Sequence, residues 1–382
     1  MGFIRMMNPE KDLEGLADLL EEAFGSDLSQ EGQELIRDLR LLGKMGPLSG
    51  LLFALDSALR GEFKGFVWDE GGKVAGNVSV SQAGWDRWHI SNVAVASAYR
   101  SRGIARRLMQ AALTYIWEQG GRWVTLQVRE DNPVAVSLYR SLGFEELGKV
   151  VEMELEVPAK PLPPGNQAVE FDLSRWMDEY ELATESIPSG LLWLERPSPE
   201  GFRPLSFNPF LNRLAYLAQG YDLHHVMVLK DGEMVATAAL WKSLWGKRHK
   251  LQFLIHPEVR GEVEEALARS ILKPLAKPFR GVAYTKIPAE YEELIRILEK
   301  AGFKTVRVLI QMRLDLESAD KEVLSYGRGE DEDFEDAGGG EDNGRGGNKA
   351  AGSSGRTTPL GTTFRPMVPG DGHRPAHGET KS

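Results

Sequence analysis

An arginine-rich turn around one glycine carries the clearest chemistry in this sequence. Residues 99–108 read YRSRGIARRL, and a helix is predicted to begin after Gly103. The first amide groups of a helix are unpaired and its dipole is positive there, so clustered cations are unfavourable unless an anion binds. The small residues Gly103 and Ala105 leave the backbone open to such an anion. The turn predicts an anion-binding loop, with a solvated basic helix end as the alternative; its residues are Arg100, Ser101, Arg102, Gly103, Ile104 and Ala105, followed by Arg106 and Arg107.

A second pattern places a tyrosine hydroxyl inside a short helix. Asn132 and Pro133 are typical of a helix N-cap and first turn, and Gly143 of a helix end. Tyr139 lies between them, and its hydroxyl is able to donate a proton when held within hydrogen-bond reach of a leaving group. Two alternatives stay open: Tyr139 packs in the core against Leu142, and Asn132 is only an N-cap.

The surrounding pattern predicts an α/β fold of the α+β type. Its elements run in the order helix, hairpin, strand, helix, strand, helix, strand, which gives a mixed sheet with helices on its faces. Alternation fails around Asn92 and Val93 in the strand ISNVAVA, as a β-bulge causes. The predicted elements are a helix over 12–24, a hairpin over 65–81, strands over 88–95, 122–129 and 150–157, and the helices after Gly103 and Asn132.

The second half of the chain repeats the first. When the two halves are aligned, the hairpin 226–240 matches 65–81, Arg260 aligns with Arg100, and Gly302 aligns with Gly143. The arginine and the glycine keep their separation in both halves to within one position, and such regular spacing predicts two tandem copies of one fold. In the second copy a valine, Val263, stands where the first has Gly103, and Glu265 stands where it has Ala105. A β-branched side chain and a carboxylate there predict a degenerate copy that has lost anion binding.

Composition sets the domain boundaries. Four prolines in 158–167 indicate an extended linker, and residues 319–382 contain an acidic run and 14 of the 41 glycines in the chain. We therefore predict a catalytic domain over 1–157, a linker over 158–167, a degenerate domain over 168–318 and a disordered tail over 319–382.

Charge and residue types exclude several classes of function. A net charge of −10 over 382 residues argues against nucleic-acid binding. With no cysteine there is no thiol nucleophile, and His224, His225, His249 and His256 lack metal-ligand spacing, so they are interpreted as surface or packing residues and no metal is expected. No apolar run is long enough for a signal peptide or a membrane span, which predicts a cytoplasmic protein without stable membrane insertion.

The run from Trp88 to Phe144 resembles the GCN5-related N-acetyltransferase (GNAT) family. The phosphate-loop signature of that family, Arg/Gln-x-x-Gly-x-Gly/Ala, matches Arg100–Ala105. Its later signature, Asn-x-x-Ala-x-x-Leu-Tyr-x-x-x-Gly-Phe, matches Asn132–Phe144. The resemblance implies that acetyl-CoA binds at the loop and beside Asn132, and that Tyr139 protonates the departing thiolate. It also implies that backbone amides of the bulged strand hold the thioester oxygen, namely those of Val93, Ala94 and Val95.

The resemblance leaves the general base open. Gln127 stands where related enzymes carry a glutamate, and glutamine cannot take a proton. Substitutes are Glu130, Asp131, Asp86 or His89. By the same resemblance, Leu28–Phe63 roofs the acceptor site.

Two functions remain in competition. The first is acetyl transfer from acetyl-CoA to a primary amine of a small molecule or peptide by direct attack, because no cysteine carries the acyl group. The second is a non-catalytic acyl-CoA sensor, which the missing base favours. A nucleotide-binding module is the weakest alternative, because no Walker-type lysine loop is present. Neither the oligomeric state nor the acceptor is readable from the sequence.

Overall fold

The structure is a computed structural model that describes residues 2–25, 30–44, 64–156, 158–194, 196–246, 248–276, 281–320 and 323–324. The described chain divides into two compact units. Among the described residues, the first unit contains those up to Gln127, Val134–Glu145 and those from Met312 to Leu324, and the second contains those of Val128–Pro133 and Glu146–Gln311. The predicted tail lies almost wholly outside the described residues.

The first unit is a sheet flanked by helices. Its strands follow the order β1-β2-β3-β4-β5, and the segment after Met312 pairs next to β5. Strands β2 and β3 form the predicted hairpin around Gly71 and Gly72. The elements are β1 (Phe3–Met6), α1 (Pro9–Phe24), α2 (Gln30–Gly43), β2 (Lys64–Glu70), β3 (Lys73–Gln82), β4 (Arg87–Val95), α3 (Ile104–Glu118), β5 (Trp123–Arg129) and α4 (Pro133–Ser141), with a 3₁₀ turn at Ser97–Tyr99.

Helix α1 is stabilised by a side-chain cap at its start and by one buried apolar face. The Asn8 side chain accepts a hydrogen bond from the Glu10 amide, and Pro9 occupies the first turn. Buried leucines and alanines recur at helical spacing and pack on α2 and the sheet. Strand β1 and helix α2 had not been predicted. Only residues 30–44 of the predicted acceptor roof, Leu28–Phe63, are described.

From its hairpin onward, the second unit repeats the order of strands and helices of the first, whereas four helices precede that hairpin and the described part of the first unit has two. Its strands follow the order β12-β6-β11-β10-β9-β8-β7. The elements are β6 (Glu145–Glu156), β7 (Val169–Glu170), α5 (Trp176–Ser186), α6 (Ser189–Leu194), α7 (Pro199–Phe202), α8 (Pro209–Ala218), β8 (Tyr221–Lys230), β9 (Glu233–Ser243), β10 (Arg248–Ile255), α9 (Glu264–Ile271), β11 (Val282–Pro288), α10 (Glu292–Lys300) and β12 (Lys304–Asp315).

The internal repeat extends to the backbone conformation. The hairpin turns Gly71-Gly72 and Asp231-Gly232 occupy equivalent places in the two repeats, and both have positive φ angles. Helix ends also correspond, because Gly143 at φ +88° and Gly302 at φ +104° close α4 and α10. The predicted tandem mixed α/β fold is therefore confirmed in the described part of the chain.

The compact units do not follow the halves of the sequence. Strand β6 ends the first repeat, yet from Glu146 on it lies in the second unit, where it pairs with β11. Strand β12 ends the second repeat, yet from Met312 on it lies in the first unit, where the Leu316 amide donates to the Arg122 carbonyl at 2.9 Å. The predicted linker also packs within the second unit, since the Ala159 amide donates to the Leu275 carbonyl at 2.9 Å. The functional roles assigned to the domains stay predictions.

Candidate active site

Strand β4 carries the predicted β-bulge. Ser91 pairs with Ser79 and Ala94 with Asn77, so Asn92 and Val93 together face one residue of β3. Asn92 adopts a left-handed conformation at φ +52°. The buried Asn77 side chain holds this geometry, because its amide donates to the Asn92 carbonyl at 2.9 Å.

Beyond the bulge, β4 and β5 separate. Their parallel pairing runs from Arg87 with Trp123 to Ile90 with Leu126. Residues 91–95 continue as β4, paired with β3, and within the described chain none of them pairs with β5. The two strands therefore leave an edge of β4 open, which a ligand with amide groups is able to follow as an added strand.

One amide at this open edge is directed away from β3. The Ala96 amide donates to the Ala75 carbonyl at 2.9 Å. Because hydrogen-bonded residues alternate along an antiparallel pair, Ala94 also faces β3, while Val95 directs its N–H and C=O to the other side. The Arg100 Nε donates to that Val95 carbonyl at 3.0 Å. Of the three predicted residues Val93, Ala94 and Val95, the last has the best-placed amide for an oxyanion.

The predicted phosphate loop ends at an open helix start. Gly103 is the N-cap of α3, with φ +77°, and no atom lies within 4 Å of the position that a Cβ would occupy. The Gly103 carbonyl accepts from the Arg107 amide at 3.1 Å, so the helix begins there. Ser101 also adopts a left-handed conformation at φ +62°, and it is exposed together with Arg102 and Gly103. Glycine leaves the first amides of α3 without a side-chain cap and open to an anion.

The arginines around the loop are held in place by the protein. Arg102 lies over the Tyr99 ring at 5.2 Å and donates to the Ala98 carbonyl at 3.0 Å. Arg107 lies 6.0 Å from the Trp68 ring centre. Together with Arg100 they surround the start of α3 with positive charge; their role in cofactor binding stays a prediction.

Tyr139 lies on α4, a helix that contacts the first turn of α3. The Arg106 guanidinium, in the first turn of α3, donates to the Ser141 hydroxyl in the last turn of α4. Tyr139 shares that last turn with Ser141, is 6% exposed and packs edge-on against Phe144. Burial raises the pKa of Tyr139 to about 12, which keeps its hydroxyl protonated and able to donate. Asn132 directly precedes α4, and its role as a cofactor contact stays a prediction.

The candidate bases are mostly engaged elsewhere. Arg129 hydrogen bonds lower the pKa of Asp131, and Lys149 donates to Glu130 at 2.6 Å. Burial lowers the pKa of His89 to about 4, with its Nδ1 3.1 Å from the Thr125 hydroxyl, although part of its side chain remains exposed. The Asp86 backbone carbonyl accepts hydrogen bonds from the Arg122 and Trp123 amides at the start of β5. None of these contacts assigns a base.

The second unit closes the corresponding loop with its own side chains. The buried Glu264 carboxylate accepts from the Gly261 amide at 2.8 Å and from the Val263 amide at 3.1 Å. The Tyr291 hydroxyl accepts from the Ile255 amide at 3.3 Å. Ile255 occupies the place in the second repeat that Val95 has in the first, so the matching amide is already bonded. The sequence did not predict that Glu264 bonds to the loop amides; the one indication was a carboxylate in the first turn of a helix.

Three comparisons with known proteins agree with this geometry. Residues 14–144 match the acetyltransferase (GNAT) family model. N-alpha-acetyltransferase RimI of Mycobacterium tuberculosis (strain ATCC 25618 / H37Rv) is 38% identical over 81 residues, which is 20% of this chain and 49% of that protein. [Ribosomal protein bS18]-alanine N-acetyltransferase of Escherichia coli (strain K12) is 31% identical over 100 residues, 26% of this chain and 66% of that protein.

Among solved structures, a GCN5-related N-acetyltransferase from Sphaerobacter thermophilus shares the fold at 16% identity, with a TM-score of 0.52, covering 82% of this chain and 96% of that one. The fold of the described chain and the open β4 edge resemble those of GNAT proteins. Within the chain, it is the segment 14–144, about a third of the sequence, that matches the acetyltransferase (GNAT) family. The chain spans less than two thirds of the length of the curated relatives that it matches. Among the described residues, no helix is both long and apolar enough to cross a bilayer.

Proposed function

We propose that this protein transfers an acetyl group from acetyl-CoA to a primary amine of a small molecule or peptide. The observation that carries the proposal is the open edge of β4 beside an uncapped helix start. The Val95 amide faces that edge, and Arg100 binds the carbonyl of the same residue at 3.0 Å. The named N-acetyltransferases among the relatives support the same class of reaction. A cytoplasmic location belongs to this proposal.

The residues present fit coenzyme A. The space next to Gly103 accepts a phosphate group without a clash, since nothing lies within 4 Å of its missing Cβ. The amides of residues 103–105 would hold the pyrophosphate, with Arg100 as a counter-charge. Bound acetyl-CoA supplies an activated thioester to the acceptor amine.

The chain's own groups then assist the transfer. The Val95 amide donates to the thioester oxygen as negative charge develops there. Tyr139 donates its hydroxyl proton to the departing thiolate; its pKa of about 12 keeps the hydroxyl protonated at neutral pH, and the same shift makes it a weaker acid. The amine attacks the thioester carbonyl carbon directly, because the chain has no cysteine to carry the acyl group. The C–S bond breaks, and the proton that the amine nitrogen loses passes through solvent and restores the Tyr139 hydroxyl. An amine that is partly neutral at the working pH needs no strong base, which fits the engagement of Asp131 and Glu130 in ion pairs.

We propose that the second unit does not bind acetyl-CoA. Glu264 occupies the loop amides with a carboxylate, where it would repel a phosphate, and Tyr291 occupies the Ile255 amide. Titration calorimetry should therefore give one acetyl-CoA site per chain. Two sites per chain would contradict the degenerate second copy.

The decisive experiment is an acceptor screen that measures coenzyme A thiol release. The library contains primary amines of small molecules and peptides, with acetyl-CoA as donor. Acceptor-dependent release that is lost in Tyr139→Phe supports the enzyme. The second candidate, a non-catalytic sensor, rests on the lack of an unengaged base among Glu130, Asp131 and His89. It predicts tight acetyl-CoA binding and no release with any amine.

A further inference from the structure

The second unit contains a cavity that the proposed function does not use. Its volume is about 50 Å³, and it lies between the helices α5, α7 and α8 and the strands β8–β10. A single water needs roughly 10–15 Å³ on the same measure, so the cavity holds a group of several heavy atoms. Its wall is mostly aromatic and aliphatic, with a small number of polar groups. That composition is typical of a small-molecule site.

A buried carboxylate, that of Glu179 on α5, supplies the charge of the cavity. It is 7% exposed, and its Oε1 accepts from the Thr237 hydroxyl at 2.9 Å and lies 2.8 Å from His225 Nε2. The His225 ring stacks on Phe171 with centroids 3.8 Å apart, which fixes its orientation. Within the described chain both bonds end on the same oxygen, so Oε2 is left to a ligand.

Two further polar atoms in the wall are buried without partners. In the part of the chain that the structure describes, the indole Nε1 of Trp241 and the amide Oε1 of Gln252 have no hydrogen-bond partner, and both residues line the cavity. A buried polar group that lacks a partner costs about 1–3 kcal/mol, so a bound group that supplies the partner gains that free energy. Tyr216 adds a hydroxyl, and its burial near Glu179 raises its pKa, which keeps it protonated.

The balance of charge selects a cation. Among the described residues that line the cavity there is no lysine or arginine, whereas Glu179 brings a carboxylate and Gln252 a carbonyl oxygen. Aromatic rings such as Phe202 and Tyr216 attract a cation through their faces. A primary ammonium, with three N–H donors, matches this set of acceptors.

The repeat sets this cavity apart from the matching part of the first unit. Thr237 occupies the place that Asn77 has in the first repeat, and Gln252, paired with Ala239, occupies the place of Ser91, which pairs with Ser79. In the first unit Asn77 bonds the Asn92 carbonyl and the Ser79 hydroxyl, so polar groups there bond to one another. In the second unit the corresponding wall leaves Gln252 without a partner. The second unit has therefore closed its loop while keeping an open polar cavity.

We propose that this cavity is a binding site for a small primary amine in its ammonium form, held by Glu179 and completed by Gln252. The amine is bound and not acetylated there. The proposal does not depend on acetyl transfer in the first unit.

The test uses ethylammonium as probe on the full chain at pH 7, without acyl-CoA, with binding followed by ligand-observed NMR saturation transfer. Ethanol and acetate are the neutral and anionic probes of similar size. Ethylammonium should bind saturably, ethanol about tenfold or more weakly, and acetate without detectable saturation. Equal binding of ethanol, or no saturable ethylammonium binding, would overturn the proposal.

Variants assign the binding to this cavity. Glu179→Gln should weaken ethylammonium about tenfold or more, because it removes the charge. The matched control is Glu181→Gln, an exposed residue on the same helix, which should change nothing. If Glu179→Gln does not fold, Gln252→Leu replaces it, since it removes an acceptor without breaking a bond. Unchanged affinity in the folded variant overturns the proposal. Gly103→Glu should bind ethylammonium as the unchanged protein does, which separates this test from that of acetyl-CoA binding.

Discussion

The hydroxyl of Tyr291 lies 3.3 Å from the backbone nitrogen of Ile255, at the end of β10. It also lies 3.3 Å from the Ser186 carbonyl, and Arg260 stacks over its ring at 4.6 Å. In the first unit the matching amide, that of Val95, faces an open strand edge. The two repeats share their backbone turns, but they differ at this amide, which the buried Tyr291 hydroxyl occupies in the second unit.

The phosphate loop is tested by two glycines with the same conformation. Gly103 and Gly120 begin and follow the same helix, both with φ +77° and with open space beyond the Cα. Gly103→Glu should abolish acetyl-CoA binding in calorimetry, because a carboxylate enters the phosphate site. Gly120→Glu carries the same backbone strain of about 1 kcal/mol and should leave affinity unchanged. Equal affinity in both variants contradicts the loop assignment.

Tyr139 is tested by removing its hydroxyl alone. Tyr139→Phe should lower kcat by roughly 10²-fold or more with little change in acetyl-CoA affinity, because proton donation acts only in the transition state. Tyr115→Phe is the control, since Tyr115 packs in the core against Phe66 and Trp88. Because the pKa of Tyr139 is about 12, no alkaline loss of activity below pH 10 should belong to it. Full activity in Tyr139→Phe excludes the acid role.

His89 gives a pH-dependent term in stability. Its pKa falls from 6.5 in the unfolded chain to about 4 in the folded protein. The unfolded state therefore binds the proton first, and stability is complete above pH 6.5 and decreases as the pH falls toward 4. Because part of the side chain is exposed, we expect a loss of about 1–2 kcal/mol. Urea unfolding at pH 7 and pH 4.5 should show this loss in the native chain but less of it in His89→Gln, and identical pH dependence in both contradicts the assignment.

The Glu264 contacts predict a structural role in the second unit. Glu264→Ala leaves the Gly261 and Val263 amides without their acceptor and should lower the free energy of unfolding by about 2–4 kcal/mol. Glu265→Ala, next along the same helix but paired at the surface with Arg269, should cost less than about 1 kcal/mol. Chemical denaturation measures both. Equal costs would show that Glu264 does not cap the loop.

The end of β12 belongs to the first unit, so we expect that the first unit does not form when this segment is removed. A chain ending at Gln311 lacks the buried Met312, Leu314 and Leu316, which belong to the first unit. It should therefore lose acetyl-CoA binding together with its cooperative unfolding. A chain ending at Leu324 keeps these residues and should bind as the full chain does. Acetyl-CoA binding by the shorter chain would contradict this prediction.

The sequence alone determined the features that depend on neighbours along the chain. The open loop at Gly103, the helix with Tyr139 and the bulge at Asn92 follow from residue types at short spacing, because helix starts, caps and bulges are local structures. The internal repeat was also readable, since duplicated elements keep their spacing.

Tertiary structure decided what depends on contacts between distant residues. Glu179 contacts His225 and Thr237, which lie 46 and 58 positions further along the sequence. No local sequence pattern therefore predicts a cavity there. The sequence also did not predict that β6 and β12 are exchanged between the units, because each repeat ends in a strand with the same hydrophobic pattern. Strand partners are chosen by packing and backbone pairing over the whole sheet, and the sequence of one strand does not record that choice.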